Sequence, residues 1–146
     1  MTTAINLAGP DDAPRALDLM GRYHAEVGLD HDDDHRAAVV TPLLEGSPLG
    51  AVWLVGPTRA PLGYVMMTFG WSVAHAGMIA WLAEAFIREN VRNRGIGTDV
   101  LHAIAVNLRA ADMKALHACA DGDAAHRFCT RVGFKPTAGQ LMTDVL

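Results

Sequence analysis

The stretch RNRGIGTDVL, residues 92–101, sets arginines and two glycines directly ahead of an amphipathic run. Gly95 and Gly97 let the backbone turn tightly and come close to a ligand. Val100, Leu101, Ile104, Ala105 and Leu108 then recur at three-and-four spacing, so the loop opens a helix with one buried stripe, running to about Ala111. The first turn of such a helix offers unpaired N–H groups and the positive end of its dipole, a setting that suits a phosphate. The stretch has neither the GxxxxGK[ST] of a nucleotide P-loop nor the third glycine of the dinucleotide fingerprint. The competing reading is a plain tight turn with solvated arginines.

Three strand-like runs precede the loop: GAVWLVG (50–56), LGYVMMTFGW (62–71) and GMIAWLAEAFI (77–87), the first two joined by the turn PTRAP. Strict alternation in the third puts Ile79, Trp81, Ala83, Ala85 and Ile87 on one face and Ala80, Leu82, Glu84 and Phe86 on the other. Both faces are apolar apart from Glu84, so helices are expected to cover both. AINLA (4–8) reads as a short strand, followed by a helix capped by Asp11 or Asp12 and running to about Val27. Its stripe is Ala13, Leu17, Met20, His24 and Val27, which gives His24 a packing role. A helix from Asp34 to Leu44 is expected to break at Thr41-Pro42, because proline costs about 3 kcal/mol in a helix interior.

Beyond the loop, ALHACA (115–120) is a strand, and a last helix, capped near Asp123, turns Ala125, Phe128, Cys129 and Val132 inward and stops at Gly133. QLMTDVL (140–146) is expected to close the chain as a strand. The sum is a mixed α/β (α+β) sandwich without internal repeat or linker, in one domain spanning residues 1–146.

The composition, 51% hydrophobic and 19% charged, is that of a folding chain and not a disordered one. A net charge of −4 gives no basic stripe for nucleic acid or an anionic membrane, so neither is an expected partner. No apolar run reaches the roughly 20 residues of a membrane helix, and the amino terminus lacks a secretory pattern, which makes the cytoplasm the default. Cys119 and Cys129 have no zinc or disulfide spacing. LDHDDDH (29–35) lacks the glycine and distal glutamate of a calcium loop, the remaining histidines form no ligand spacing, and no metal is expected. It reads as a solvated, helix-capping segment.

Arg92-Asn93-Arg94-Gly95-Ile96-Gly97 resembles the Arg/Gln-x-x-Gly-x-Gly/Ala signature of the GNAT N-acetyltransferase superfamily, in the strand-to-helix setting of that superfamily. AINLAGPDDAP, LGYVMMTF and AAHRFCTRVGF extend the likeness over most of the chain. The resemblance implies a mostly antiparallel sheet splayed between its fourth and fifth strands, flanked by helices on both faces. It implies acetyl-CoA as cosubstrate, its pyrophosphate held by the backbone amides of Arg94, Gly95, Ile96, Gly97 and Thr98, with Arg92 at the signature's first position. Main-chain groups of Phe86 and Ile87 would meet the pantetheine arm. Relatives are often dimers, so a homodimer is the matching expectation. Leu82-Ala83-Glu84-Ala85-Phe86 is similar to the Leu-Glu-Asp-Phe-like stretch of the spermidine/spermine and thialysine acetyltransferase branch, with Ala85 in place of the second acid.

An attacking amine must lose a proton, and Glu84 is the carboxylate placed to take it, the alternative being a structural ion pair with Arg92. The superfamily often protonates the departing thiolate from a tyrosine ahead of GF. Cys129 stands there, with a buried core thiol as its alternative. The superfamily layout also puts Asp32, Asp33 and Asp34 near the acceptor entrance, where they would attract a cation. The expected function is direct transfer of an acetyl group to a primary amine of a small cationic molecule. The rivals are acetylation of a protein lysine or N-terminus and a noncatalytic acyl-CoA-binding module.

Overall fold

A computed structural model describes residues 3–146. Its centre is a five-stranded sheet in the order β1-β2-β3-β4-β5, built from β1 (Ile5–Leu7), β2 (Gly50–Val55), β3 (Gly63–Ser72), β4 (Gly77–Ile87) and β5 (Ala115–Ala118). The first four pair antiparallel, β2–β3 and β3–β4 through short turns and β1–β2 across the two intervening helices, and β5 joins β4 in parallel after a helical crossover. Helices α1 (Ala13–Val27) and α2 (Asp33–Leu44) cover one face, and α3 (Ile96–Ala110) and α4 (Asp123–Val132) cover the other.

Each face buries its own core. Ala16, Leu19 and Met20 of α1 and Val40 and Leu44 of α2 pack on Leu54, Tyr64 and Met66, while Val100, Leu101, Ile104 and Leu108 of α3 pack on Val55, Val65 and Met67. Full burial of such side chains contributes about 1.5–3 kcal/mol each. The buried stripe of α3 is the one its spacing predicts, with Ala105 at its half-buried margin. In α1 the inward face is rotated: Ala16 and Leu19 are buried, and Val27, at the helix end, is half exposed.

Three expectations are corrected. Pro42 lies inside α2 without ending it. It removes a single N–H in the last turn, and that turn is anchored by buried Val40 and Leu44 and continued by a bond from Ser47 N–H to the Pro42 carbonyl at 3.0 Å. The second helix starts at Asp33 and not at Asp34, and Asp32 caps it, its carboxylate accepting from His35 N–H at 2.8 Å. QLMTDVL forms no strand, and Leu141, Met142 and Val145 stand in solvent. A short apolar segment becomes a strand only beside a partner edge, and no strand of the described residues pairs with it.

A fourth correction shapes the site. The β3–β4 ladder shifts register between Met66 and Met67, so that Glu84 pairs with Met66 while Leu82 pairs with Met67. Ala83 is the extra residue, a β-bulge, and it is exposed. Strict alternation therefore fails at this point. Leu82 joins Ala85 and Ile87 against the α3 core, whereas Phe86 belongs to the core beneath α1, the face Glu84 shares with its partner Met66.

Candidate active site

The bulge coincides with the place where the sheet opens. β4 and β5 pair from Ile79 opposite Ala115 to Leu82 opposite Ala118, and β4 then continues to Ile87 without its neighbour. Below the gap lies a cavity of about 800 Å³ lined by residues of α1, β4, the loop ahead of α3, and α4. The splay expected between the fourth and fifth strands is thus present.

Glu84 lines this cavity with both carboxylate oxygens engaged. Tyr64 O–H donates to Oε1 at 3.0 Å, and His24 Nε2 lies 2.7 Å from Oε2. Burial, and then the adjacent Glu84 charge, push the Tyr64 phenol far above its ordinary value, so it remains a donor. Tyr23, a cavity residue, is raised in the same way by burial and by the charges of Glu84 and Glu26. The Tyr23, Tyr64 and Phe86 rings sit 6.0 to 6.4 Å apart and form an aromatic wall on this side.

Glu84 does not pair with Arg92. Arg92 instead holds Glu26 of α1 through two bonds of 2.6 and 2.7 Å, donates from Nε to the Ile87 carbonyl at 2.7 Å, and stacks over Phe86 at 5.5 Å. Its guanidinium holds the Glu26 carboxyl below the usual carboxylate value. The stability this supplies is complete above the unfolded carboxyl range and is lost as pH falls through the lowered folded value. Because the pair is partly exposed, Arg92→Ala is expected to cost only about 1 kcal/mol at neutral pH, a loss that denaturant titration would show shrinking in acid.

The loop reading is supported by local geometry. Gly95 caps α3 in the left-handed conformation, φ 77°, where an L side chain is strained, and no side chain caps the helix. Ile96, Gly97 and Thr98 of this first turn line the cavity, and no side chain caps their N–H groups. A Cβ on Gly97 would stand 3.1 Å from Phe128 Cε1, a contact tight enough that the ring of α4 would have to give way slightly. A pyrophosphate fits this donor set. Phe86, Ile87, Arg92, Gly95, Ile96, Gly97 and Thr98 all line the cavity, whereas Arg94 is exposed and does not.

Cys129 is buried on α4 and lines the same cavity, and burial raises its thiol above the ordinary value. Asp32, Asp33 and Asp34 do not line it: Asp32 caps α2, Asp33 bonds Arg36 at 2.8 Å, and Asp34 is exposed. No three His, Cys, Asp or Glu side chains among the described residues converge as a metal site.

Two residues of the cluster escape sequence reasoning. His24 reads as packing because it falls on a core stripe, and it is indeed buried; its signal was being the one ionisable group on that stripe. Tyr64 is hidden by the bulge. Counting from the Ser72–Gly77 end of the hairpin sets Glu84 opposite Val65, and only the extra residue sets it opposite Met66, on the face of Tyr64.

A profile of the Acetyltransferase (GNAT) family matches residues 14–134. No curated protein matches the sequence. The chain is similar to the integron cassette protein HFX_CASS3 from the mobile metagenome of Cole Harbour Salt Marsh, with TM-score 0.85 and 24% identity over 97% of this chain and 90% of that one. It is similar to AAC(6')-Iy in complex with the bisubstrate analog CoA-S-monomethyl-acetylneamine, with TM-score 0.82 and 12% identity over 100% and 99% of the two chains. A third likeness is to the aminoglycoside acetyltransferase meta-AAC0020 from an uncultured soil metagenomic sample, in complex with sisomicin, with TM-score 0.76 and 17% identity over 99% and 95%. At these identities the structures carry the fold, and the profile, spanning most of the sequence, carries the family. The chain belongs to the acetyltransferase (GNAT) family and is an N-acetyltransferase.

Proposed function

We propose that the protein transfers an acetyl group directly to a primary amine of a small cationic molecule, a polyamine or lysine-like amine, with Glu84 receiving the proton the amine gives up. One observation carries this reading: the carboxylate and the anion-binding loop line a single cavity where β4 parts from β5. Bound acetyl-CoA supplies the activated thioester. The first-turn amides of α3, with those of Arg94 and Gly95, would hold the pyrophosphate. Main-chain groups of Phe86 and Ile87 would align the pantetheine arm along the unpaired end of β4. Arg92 contributes by bracing the loop against α1.

An ionised carboxylate accepts about four hydrogen bonds, so Glu84 has capacity left after Tyr64 and His24. That capacity serves an incoming ammonium. The likeness of Leu82–Phe86 to the spermidine/spermine branch and the aminoglycoside ligands of similar structures both favour a small polyamine-like acceptor. Asp32, Asp33 and Asp34 would act at a distance, attracting the cation toward the entrance. Free Cys119 and Cys129 suit the reducing cytoplasm.

Cys129 is the proposed proton source for the departing thiolate, since its burial keeps it a thiol. Cys129→Ala is expected to lower kcat about a hundredfold in steady-state assays, the small end of general acid contributions; a wild-type rate would assign that proton to water. The acceptor is tested by incubating the protein and acetyl-CoA with spermidine, kanamycin, L-lysine and lysine peptides, read by mass spectrometry. Acetylation of small amines is expected, and acetylation of the peptides alone would overturn the substrate class.

A further inference from the structure

His24 is 2% exposed, on α1, with its Nε2 2.7 Å from Glu84 Oε2. At that distance an ionised carboxylate requires a ring proton on Nε2, because two facing lone pairs would repel. The other nitrogen, Nδ1, is then a bare acceptor. It is buried and has no hydrogen-bond partner among the described residues. Buried polar atoms are normally satisfied, so an orphan beside a site carboxylate calls for a reason.

We propose that His24 is a positioning residue of the acceptor site and that its bare Nδ1 makes this role depend on pH. The inference rests on the reading of Glu84 as the group that receives the ammonium. In the neutral ring, Nε2–H and the Tyr64 hydroxyl fix the two oxygens of Glu84, whose negative charge remains uncancelled for the amine. When Nδ1 takes a proton, the ring becomes an imidazolium directly bonded to Glu84. Its charge cancels that of the carboxylate, and the site no longer attracts or deprotonates an ammonium.

The surroundings of His24 determine which charges take part. Tyr23 of α1 lies 5.8 Å away ring to ring, and His31, between α1 and α2, lies 5.3 Å away edge-on. His35 of α2 stacks on His31 at 3.9 Å, and Arg36 of α2 donates to the His31 carbonyl at 2.6 Å. Glu84 of β4 and, behind it, Tyr64 of β3 complete the shell. Both tyrosines are held in the phenol form by burial. The carboxylate facing the ring is therefore Glu84, with Arg36 permanently positive and the exposed imidazoles of His31 and His35 on the solvent side.

The test compares His24→Gln, His24→Ala and Glu84→Gln with wild type, using acetyl-CoA and whichever of spermidine, kanamycin or L-lysine wild type acetylates fastest. Glutamine can still donate to Glu84 but cannot take a second proton. His24→Gln should keep kcat near wild type at alkaline pH while the acid limb of kcat/KM moves to lower pH. His24→Ala should lose about a hundredfold in kcat with the KM for acetyl-CoA unchanged, the loss expected of a misaligned reacting group. An acid limb that stays in place in His24→Gln, or equal defects in the two variants, would overturn the proposal. If Glu84→Gln is inactive while that limb stays in place, only this inference falls; if Glu84→Gln is fully active, the reading beneath it falls too. Histidine 15N shifts of the wild-type protein at pH 8 give a second readout that needs no variant to fold. They should show His24 protonated at Nε2 and bare at Nδ1, and the opposite tautomer would overturn the assignment.

Discussion

Glu84→Gln is expected to lower kcat by a factor of about 10²–10⁴, the usual contribution of a positioned general base, and to leave acetyl-CoA affinity unchanged. The amide keeps the size of the side chain but has no basic oxygen and no charge. The split between constants distinguishes the two roles open to the carboxylate. If Glu84 takes the proton, kcat falls; if it only holds a cation, the KM for the amine rises and kcat survives. Calorimetry with coenzyme A on the same variant separates either result from damage to the loop. The amide also faces two donors, His24 and Tyr64, with one acceptor oxygen. One donor is left short, which costs about 1–3 kcal/mol, so thermal unfolding of the variant should show a lower midpoint without loss of the folded state at 25 °C.

Gly97→Asp is expected to abolish coenzyme A binding, with at least a hundredfold loss in a calorimetric titration, an estimate in line with the cost of setting a like charge against a bound anion. An acid in the first turn of α3 favours the helix dipole by about 0.3–1 kcal/mol. Against that, its Cβ would sit 3.1 Å from Phe128, which must yield by a few tenths of an ångström. The two nearly offset, so the folded protein should persist while its binding is lost. Gly97→Ala separates the contributions: it meets the same Phe128 contact without the charge, and a milder affinity loss there would assign most of the effect to electrostatics.

Much of this fold is legible in the chain because its elements announce themselves locally. Gly95, the α3 stripe and Gly133 mark helix ends and a buried face through spacing and backbone freedom alone. The three central runs fall at β2, β3 and β4. What the sequence hides is long-range. Pro42 survives because packing of Val40 and Leu44 outweighs a local penalty, and Leu141 to Val145 fail as a strand for want of a neighbouring edge. The site divides in the same way. Glu84, Cys129 and the loop residues stand out as chemistry in an apolar or glycine-rich setting, and the cavity gathers them. His24 and Tyr64 come from segments 60 and 20 residues away from Glu84, and nothing in their own surroundings names their partner.

The single extra residue at Ala83 changes the parity of β4. Odd and even positions exchange faces there, so the strand behaves as two pieces with opposite counting rules joined at one point. Substituting any side chain along it leaves that arithmetic intact, whereas removing one residue would send Glu84 from the α1 side to the α3 side, away from His24 and Tyr64. The location of the acid is stored in chain length and not in side-chain identity. For a related sequence, the position equivalent to Glu84 must therefore be counted back from the Ile87 end of the strand, never forward from Gly77.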